Sequence, residues 1–448
     1  MPRGTTPTHR TGAASTGRRG RSPVRLPAAL TVVALLLSGG LTGCQESFAD
    51  PDTDTVQLSV FWWGDQQRAD RTEQALRRYS ARHPKVGFRV TWQGAGGYYD
   101  RLATEATGGN APDLFQIDDD FLTEYAQRRI TLDLTDQVKR RRVDLGGLPP
   151  GLARAGEVGG RTVAVAAGEA TPALAYDKTV LDGLGVAEPR PGMSYQEFVA
   201  WAAEVTRRSG GQVAGASDPA AQQMALWLWL RAQGKEFYTD RQLGFGVPDL
   251  TRWFEIWRRA RSDRATPSAT VTQGANSGMV ARQLIATGKA VTSFIRSDQL
   301  VELQSYTSDE LGVVAYPGNP KAQWPQATMY WAGFRGTRYP DIVADVINFL
   351  VNDPEAGRIL GTDRGFSPNT SVRAVVARTP VERGGRAAAA YESRMSTLFG
   401  PAPQAPPRGH ARIRELLLRA AQDVQFGRAT SAEAAATFVR RANAALAG

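Results

Sequence analysis

The chain has 448 residues, 42% of them hydrophobic, with 54 basic and 44 acidic residues, three histidines and a single cysteine. That length buries a large core and ordinarily divides into two domains. One cysteine excludes a disulfide framework, and so few histidines argue against a His- or Cys-based metal site.

The first 25 residues carry Arg3, Arg10, Arg18, Arg19, Arg21 and Arg25 with no acid. An apolar run, Ala28 to Leu37, and a stretch of small residues follow. This order marks a secretory signal peptide. The run is too short to cross a bilayer, which takes about 20 apolar residues. Leu41, Thr42, Gly43 and Cys44 resemble the bacterial lipobox. That resemblance implies a lipidated Cys44 as the first mature residue, with residues 1–43 removed and 44–54 a flexible tether. An ordinary signal followed by a free thiol is the alternative. Without the six leading arginines, 48 basic residues face 44 acidic ones, about +4. No basic patch interleaved with aromatics remains, which argues against nucleic acid.

The first strand is expected over Val56–Gly64, with Val56, Leu58, Val60 and Trp62 on one face. A helix follows, with Ala69, Thr72, Leu76 and Tyr79 at helical spacing and a stop at Pro84. The segment "VGFRVTW" alternates again through Val86, Phe88, Val90 and Trp92. "YYDRLATEATGG" suits a second helix and "PDLFQIDDD" a third strand that stays extended to its end. Strands alternating with helices predict a parallel α/β sheet, with ligands beyond the carboxyl ends of its strands. Further on, "AVAAGEATPALAYD" reads as an apolar crossing into a new region and "GKAVTSFI" as a short buried strand. "ARIRELLLRAAQDVQF" reads as a helix, and Thr430 with Glu433 as a capping box ahead of another. His83, before Pro84, and His410, after a proline-rich stretch, do not stand where a catalytic base is expected.

Seven segments in order carry a family resemblance: "VFWWGDQQ", "APDLFQIDDDFLTEYAQRRITLDLTD", "ALAYDKTVLDGLG" with "MSYQEFVAWAAEV", "TGKAVTSFIRS", "LGVVAYPG", "YWAGF" and "VADVINFLVNDPEAGRILGTDRGFSP". They resemble the extracellular solute-binding proteins of the sugar-importing ABC type, the maltose-binding-protein-like family, from about Val56 to the C-terminus. The resemblance implies an α/β fold with two periplasmic-binding-protein-like lobes, each built on a sheet and joined by hinge strands. Carried over, residues 55–167 and 289–318 form one lobe, and 169–287 and 325–448 the other.

Sugars offer apolar C–H faces and hydroxyl rims, so aromatic rings beside carboxylates, amides and arginines suit them. Trp62 and Trp63 end the first strand beside Asp65 and Gln66. Alternation turns one of the two rings inward, and a core position for Trp62 is the alternative. The resemblance places Asp119 and Asp120 where relatives contact sugar hydroxyls, with Asp118 pointing away. A solvated acidic loop and a calcium site are the alternatives, the latter without EF-hand spacing. Gln116 stands where several relatives carry an aromatic. The resemblance adds Glu169 at the first crossing between lobes, Trp227 on a cleft helix, and Arg296 and Ser297 after a returning strand. Trp331 before Gly333 and Arg364 in "TDRGFSP" complete the candidates. Trp253 and Trp257, four apart, suit a core.

The implied function is capture of a mono- or oligosaccharide between the lobes and its delivery to the permease subunits of an ABC importer. The chain is expected to act as a monomer held to the outer membrane face by Cys44, without cofactor, metal or catalytic residues. A binding protein for another solute, such as a polyamine or an anion, is the main alternative. A secreted glycosidase would need two carboxylates flanking the bond. Asp119 and Glu169 could in principle serve, but the strand-helix repeat of an eightfold barrel is lacking.

Overall fold

The computed structural model describes residues 55–275, 279–378 and 383–447. Cys44, the signal segment and the whole tether lie outside them.

The alternating run at the front forms β1 (Val56–Trp63), with Leu58, Val60 and Trp62 buried. Asp65 then caps α1 (Gln66–Arg82) by accepting from the Arg68 amide, and Ala69, Thr72, Leu76 and Tyr79 face inward. The helix stops at His83, whose ring stacks on Tyr79 at 4.2 Å just before Pro84. β2 (Val86–Gln93) pairs parallel with β1 from Val56↔Val86 onward. α2 (Tyr98–Thr107) leads to β3 (Leu114–Ile117), also parallel to β1. The third strand ends earlier than its sequence suggests. Asp118 accepts a hydrogen bond from the Asp120 amide, and Asp119 and Asp120 form the first turn of α3 (Asp119–Gln127). Carboxylates are favoured there by the helix dipole, which outweighs the extended reading.

The chain leaves this sheet through β4 (Val165–Ala170), turns at Thr171, and enters a second sheet as β5 (Pro172–Asp177). α4 (Tyr195–Arg208), α5 (Gln223–Arg231) and α6 (Val247–Ser262) pack beside that sheet. β6 (Thr292–Arg296), α7 (Gln299–Ser305) and β7 (Leu311–Val314) follow, both strands pairing antiparallel with β5. β8 (Gln326–Gly333) returns to the first sheet, antiparallel to β3 and β4, giving the order β2-β1-β3-β8-β4. α8 (Pro340–Asn352), α9 (Pro354–Leu360), α10 (Thr370–Val376), α11 (Gly385–Met395), α12 (His410–Gln425) and α13 (Ser431–Ala447) complete the chain. Thr430 and Glu433 form the reciprocal capping bonds ahead of α13.

This pairing corrects the division read from the resemblance. Residues 292–314 hydrogen-bond to β5 and so belong with the second sheet, while 326–333 lie inside the first. The first sheet is consequently mixed, not wholly parallel. Two large cores match the two sheets. One gathers Trp62, Phe88, Phe115, Trp331, Val343 and Ile347. The other gathers Phe198, Trp253, Trp257, Phe294 and, from the C-terminal helices, Leu417 and Phe438. Among the described residues no helix is long and apolar enough to cross a membrane.

Candidate functional site

A cavity of about 1390 Å³ opens between the front of α1, the 361–373 segment, α7 and α11. Asp65, in capping α1, accepts from the Arg68 amide at 2.8 Å. That bond orients the first turn so that Arg68 and Arg71 reach across to the other chain segment. Arg68 donates to the Trp63 carbonyl at 3.1 Å and to the Asp363 carbonyl at 2.5 Å. Arg71 pairs with the Asp363 carboxylate at 2.8 Å. On the opposite wall Arg296 pairs with Asp298 at 2.8 Å. Tyr306, 46% exposed, presents its ring beside Glu302.

The deepest part is polar and tightly bonded. Glu169, next to the last residue of β4, receives a hydrogen bond from Arg373 of α10. Glu392 of α11 accepts from the Thr171 amide at 2.9 Å, from its hydroxyl at 2.7 Å, and from the Ser297 hydroxyl. These bonds tie α11 to the point where the chain crosses between sheets. Burial pushes Glu169 up to about 7, with Glu392 adding to the rise and Arg373 opposing it. Burial likewise raises Glu392 against its hydrogen bonds from Ser297 and Thr171. Arg373 bonds Glu169 and acts on Glu392 through its charge alone.

Among the residues singled out in the sequence, Asp65, Glu169 and Arg296 line this cavity. Ser297 lies just behind, fully buried against Glu392. Gln66 faces solvent and bonds Asp70 at 2.8 Å. Arg364 does not line the cavity; it is buried over the Trp331 ring, its Nε donating to the Gln116 Oε1 at 2.9 Å. Asp119 accepts from the Tyr330 hydroxyl, and burial pushes it up to about 7 against that bond. Asp120 pairs with Arg414 of α12 at 2.7 Å. Nearby His410 is held down to about 3 by burial and by Arg414, and is therefore neutral. Arg414 also lines a smaller cavity of about 520 Å³ with Asp218, Gln223 and Gln283.

The tryptophans are corrected most. Trp331 is 1% exposed and Trp62 fully buried, both packed inside the first core. Trp227 is buried in the second core, donating to Glu236 at 3.0 Å and packed on Trp324. A Cβ at Gly333 would press on Val343 and Leu132, so this glycine serves packing and not a ligand's approach. Trp63 is half-buried, edge-on to Tyr98 at 5.0 Å. The cavity residues missed in the sequence are Arg68, Arg71, Tyr306, Asp363, Arg373 and Glu392. Arg68 was recoverable as the third residue after a capping Asp65. Asp363 and Arg373 flank the "RGFSP" stretch. Tyr306 and Glu392 carry no local signal.

The arrangement can hold a polar solute by many directed hydrogen bonds against one aromatic face. A family model described as bacterial extracellular solute-binding protein matches residues 74–381. The fold is similar to an extracellular solute-binding protein family 1 structure from Alicyclobacillus acidocaldarius (23% identity, TM-score 0.71, 88% of this chain and 99% of that one). It is also similar to a periplasmic oligogalacturonide-binding protein from Yersinia enterocolitica (18%, 0.72, 88% and 99%). A third likeness is to the sugar-binding protein MalE from Xanthomonas citri (16%, 0.72, 88% and 98%).

Proposed function

The chain belongs to the bacterial extracellular solute-binding proteins, and from that premise we propose that it captures a sugar in the large cavity and delivers it to an ABC importer. The observation that carries this reading is the cavity itself. It is large enough for an oligosaccharide, and its polar groups are fixed in pairs before any ligand arrives. Arg71 with Asp363, Arg296 with Asp298, and Arg373 with Glu169 would meet sugar hydroxyls with charge-assisted hydrogen bonds at little ordering cost. Tyr306 supplies a face for the C–H side of a ring. The similarly folded oligogalacturonide-binding protein and sugar-binding protein are consistent with such a ligand. The walls come from both sheets, so contacts to a ligand favour an approach of the two, a population shift driven by bonds available only in the closed form. Cys44 would hold the protein by its lipid to the outer membrane face, where a permease can receive the solute.

The test is a thermal-shift screen of the soluble domain against sugars and polyols. A ligand of the folded state alone raises stability by about 2.7 kcal/mol at a hundredfold excess over its Kd. At least one sugar should raise the melting temperature and be recovered chemically intact. A panel in which only polyamines or simple anions act would defeat the sugar reading, and steady product formation would point to hydrolysis.

A further inference from the structure

The exposed arginines Arg129, Arg140, Arg141, Arg161, Arg335 and Arg338 have no side-chain hydrogen bond or ion pair among the described residues. The fold draws them from three stretches to one end of the first sheet. The Arg335 amide donates to the Ile130 carbonyl at 2.8 Å, and the Leu132 amide to the Gly333 carbonyl at 2.7 Å. The Leu134 amide donates to the Thr162 carbonyl at 2.8 Å, which sets Arg161 beside the short helix Thr135–Lys139 that leads into Arg140 and Arg141. Acids on these stretches are mostly engaged. Asp136 pairs with Lys139, Asp341 and Asp345 pair with Arg142, and Asp113 accepts from the Ser59 and Thr337 hydroxyls. Asp133 accepts from the Thr135 amide. Glu157, across a hairpin from Thr162, offsets one cation. An excess of positive charge remains on this end.

The same end is where the chain enters the sheet. Val60 of β1 and Gly333 of β8 both pair with Leu114, so the start of β1 at Val56 and the exit of β8 toward Arg335 lie at one edge. Asp65 and Arg68, beyond the other end of β1, open the large cavity. The chain from Cys44 to residue 55 reaches at most about 40 Å when extended. A lipid on Cys44 is therefore tethered to the arginine end and not to the cavity end. Clusters of about four to eight Lys or Arg beside a membrane anchor recognise anionic headgroups, each cation strengthening binding about fivefold. Resting on the Cys44 anchor read above, and not on the identity of the solute, we propose that this end of the first sheet lies on the anionic phospholipid headgroups of the membrane that holds Cys44. The cavity end then faces outward to incoming solute, and turning it toward a permease requires release of the arginine face.

Flotation of the mature chain carrying Cys44→Ser, and so without lipid, tests this with vesicles of phosphatidylcholine, pure or with about one-third phosphatidylglycerol. The chain should float with the anionic vesicles at low salt, stay behind with the neutral ones, and come off as salt shortens the Debye length. Arg140→Gln, Arg335→Gln and Arg338→Gln combined should weaken partition by about tenfold or more, with the melting temperature unchanged. Arg419→Gln, Arg440→Gln and Arg441→Gln remove the same charge from exposed positions on α12 and α13, and this control should float as the parent does. An equal loss in both variants would reduce the effect to net charge and overturn the inference. Equal flotation with neutral vesicles, or none with either, would also overturn it. Capture by immobilised polyphosphate without flotation would assign the face to a soluble polyanion, with the same consequence. Lipid labelling of Cys44 in the unaltered chain is read separately, and a missing label would overturn the anchor and this orientation with it. The sugar reading stands or falls apart from all of these outcomes.

Discussion

Tyr306 is 46% exposed along the cavity, whereas Trp331 is 1% exposed inside the first core. The two rings should therefore respond oppositely to truncation. Tyr306→Ala loses only the partial burial of a ring by ligand, about 1–2 kcal/mol, or roughly five- to thirtyfold in Kd. Its melting temperature without ligand should stay near that of the parent. Trp331→Ala opens a cavity in a packed core and should cost about 3–5 kcal/mol of stability. Binding measurements and urea unfolding on the two variants check this, and a normal unfolding midpoint for Trp331→Ala would contradict the core assignment. The tryptophans show where local reading ends. A strand's alternation states that Trp62 and Trp63 face opposite ways, and they do. Which side a ligand occupies depends on what covers each face, and at Trp62 and Trp331 that is decided by segments far along the chain.

At the scale of elements, the turn at Thr171 between β4 and β5 joins the two sheets, and Glu169, Arg373 and Glu392 surround it. Burial raises both carboxyls, so the folded state holds protons that the unfolded chain releases. Stability from this cluster is then present below the ordinary glutamate range and lost as pH rises through about 7. Glu169→Gln keeps an acceptor for Arg373 and cannot ionise. It should flatten the fall in unfolding free energy between pH 5 and pH 7.5 by roughly 1–3 kcal/mol, at about 1.36 kcal/mol per unit of pKa. Glu392, also raised by burial, and Asp118, Asp119 and Asp177, raised to about 6, about 7 and about 6, contribute to the slope that remains. Urea titrations at the two pH values give the comparison, and equal slopes in parent and variant would place Glu169's proton equilibrium elsewhere. Element identity was legible here: β1, α1, β2 and the capped α13 follow from periodicity and caps. Partnership was not. β8 pairs with β3 across some 200 residues, and nothing in "YWAGF" states which sheet it joins. The exchange of the two returning segments came from that gap.

For the whole molecule, family membership was carried by the order of seven weak motifs, because a fold built of many elements leaves many faint marks. The position of its site was not, since the cavity walls draw a few residues each from α1, α7, α10 and α11 that meet only in the folded chain. The central claim is that solute sits in this cavity, touching both walls. Amide hydrogen exchange, with and without a saturating sugar from the thermal screen, tests it most directly, because local opening is suppressed where ligand adds contacts. The account predicts slowed exchange in three separate stretches at once, around residues 65–71, 296–306 and 361–373. Protection confined to residues 217–223 and 414–418 around the smaller cavity, or to one wall alone, would contradict it.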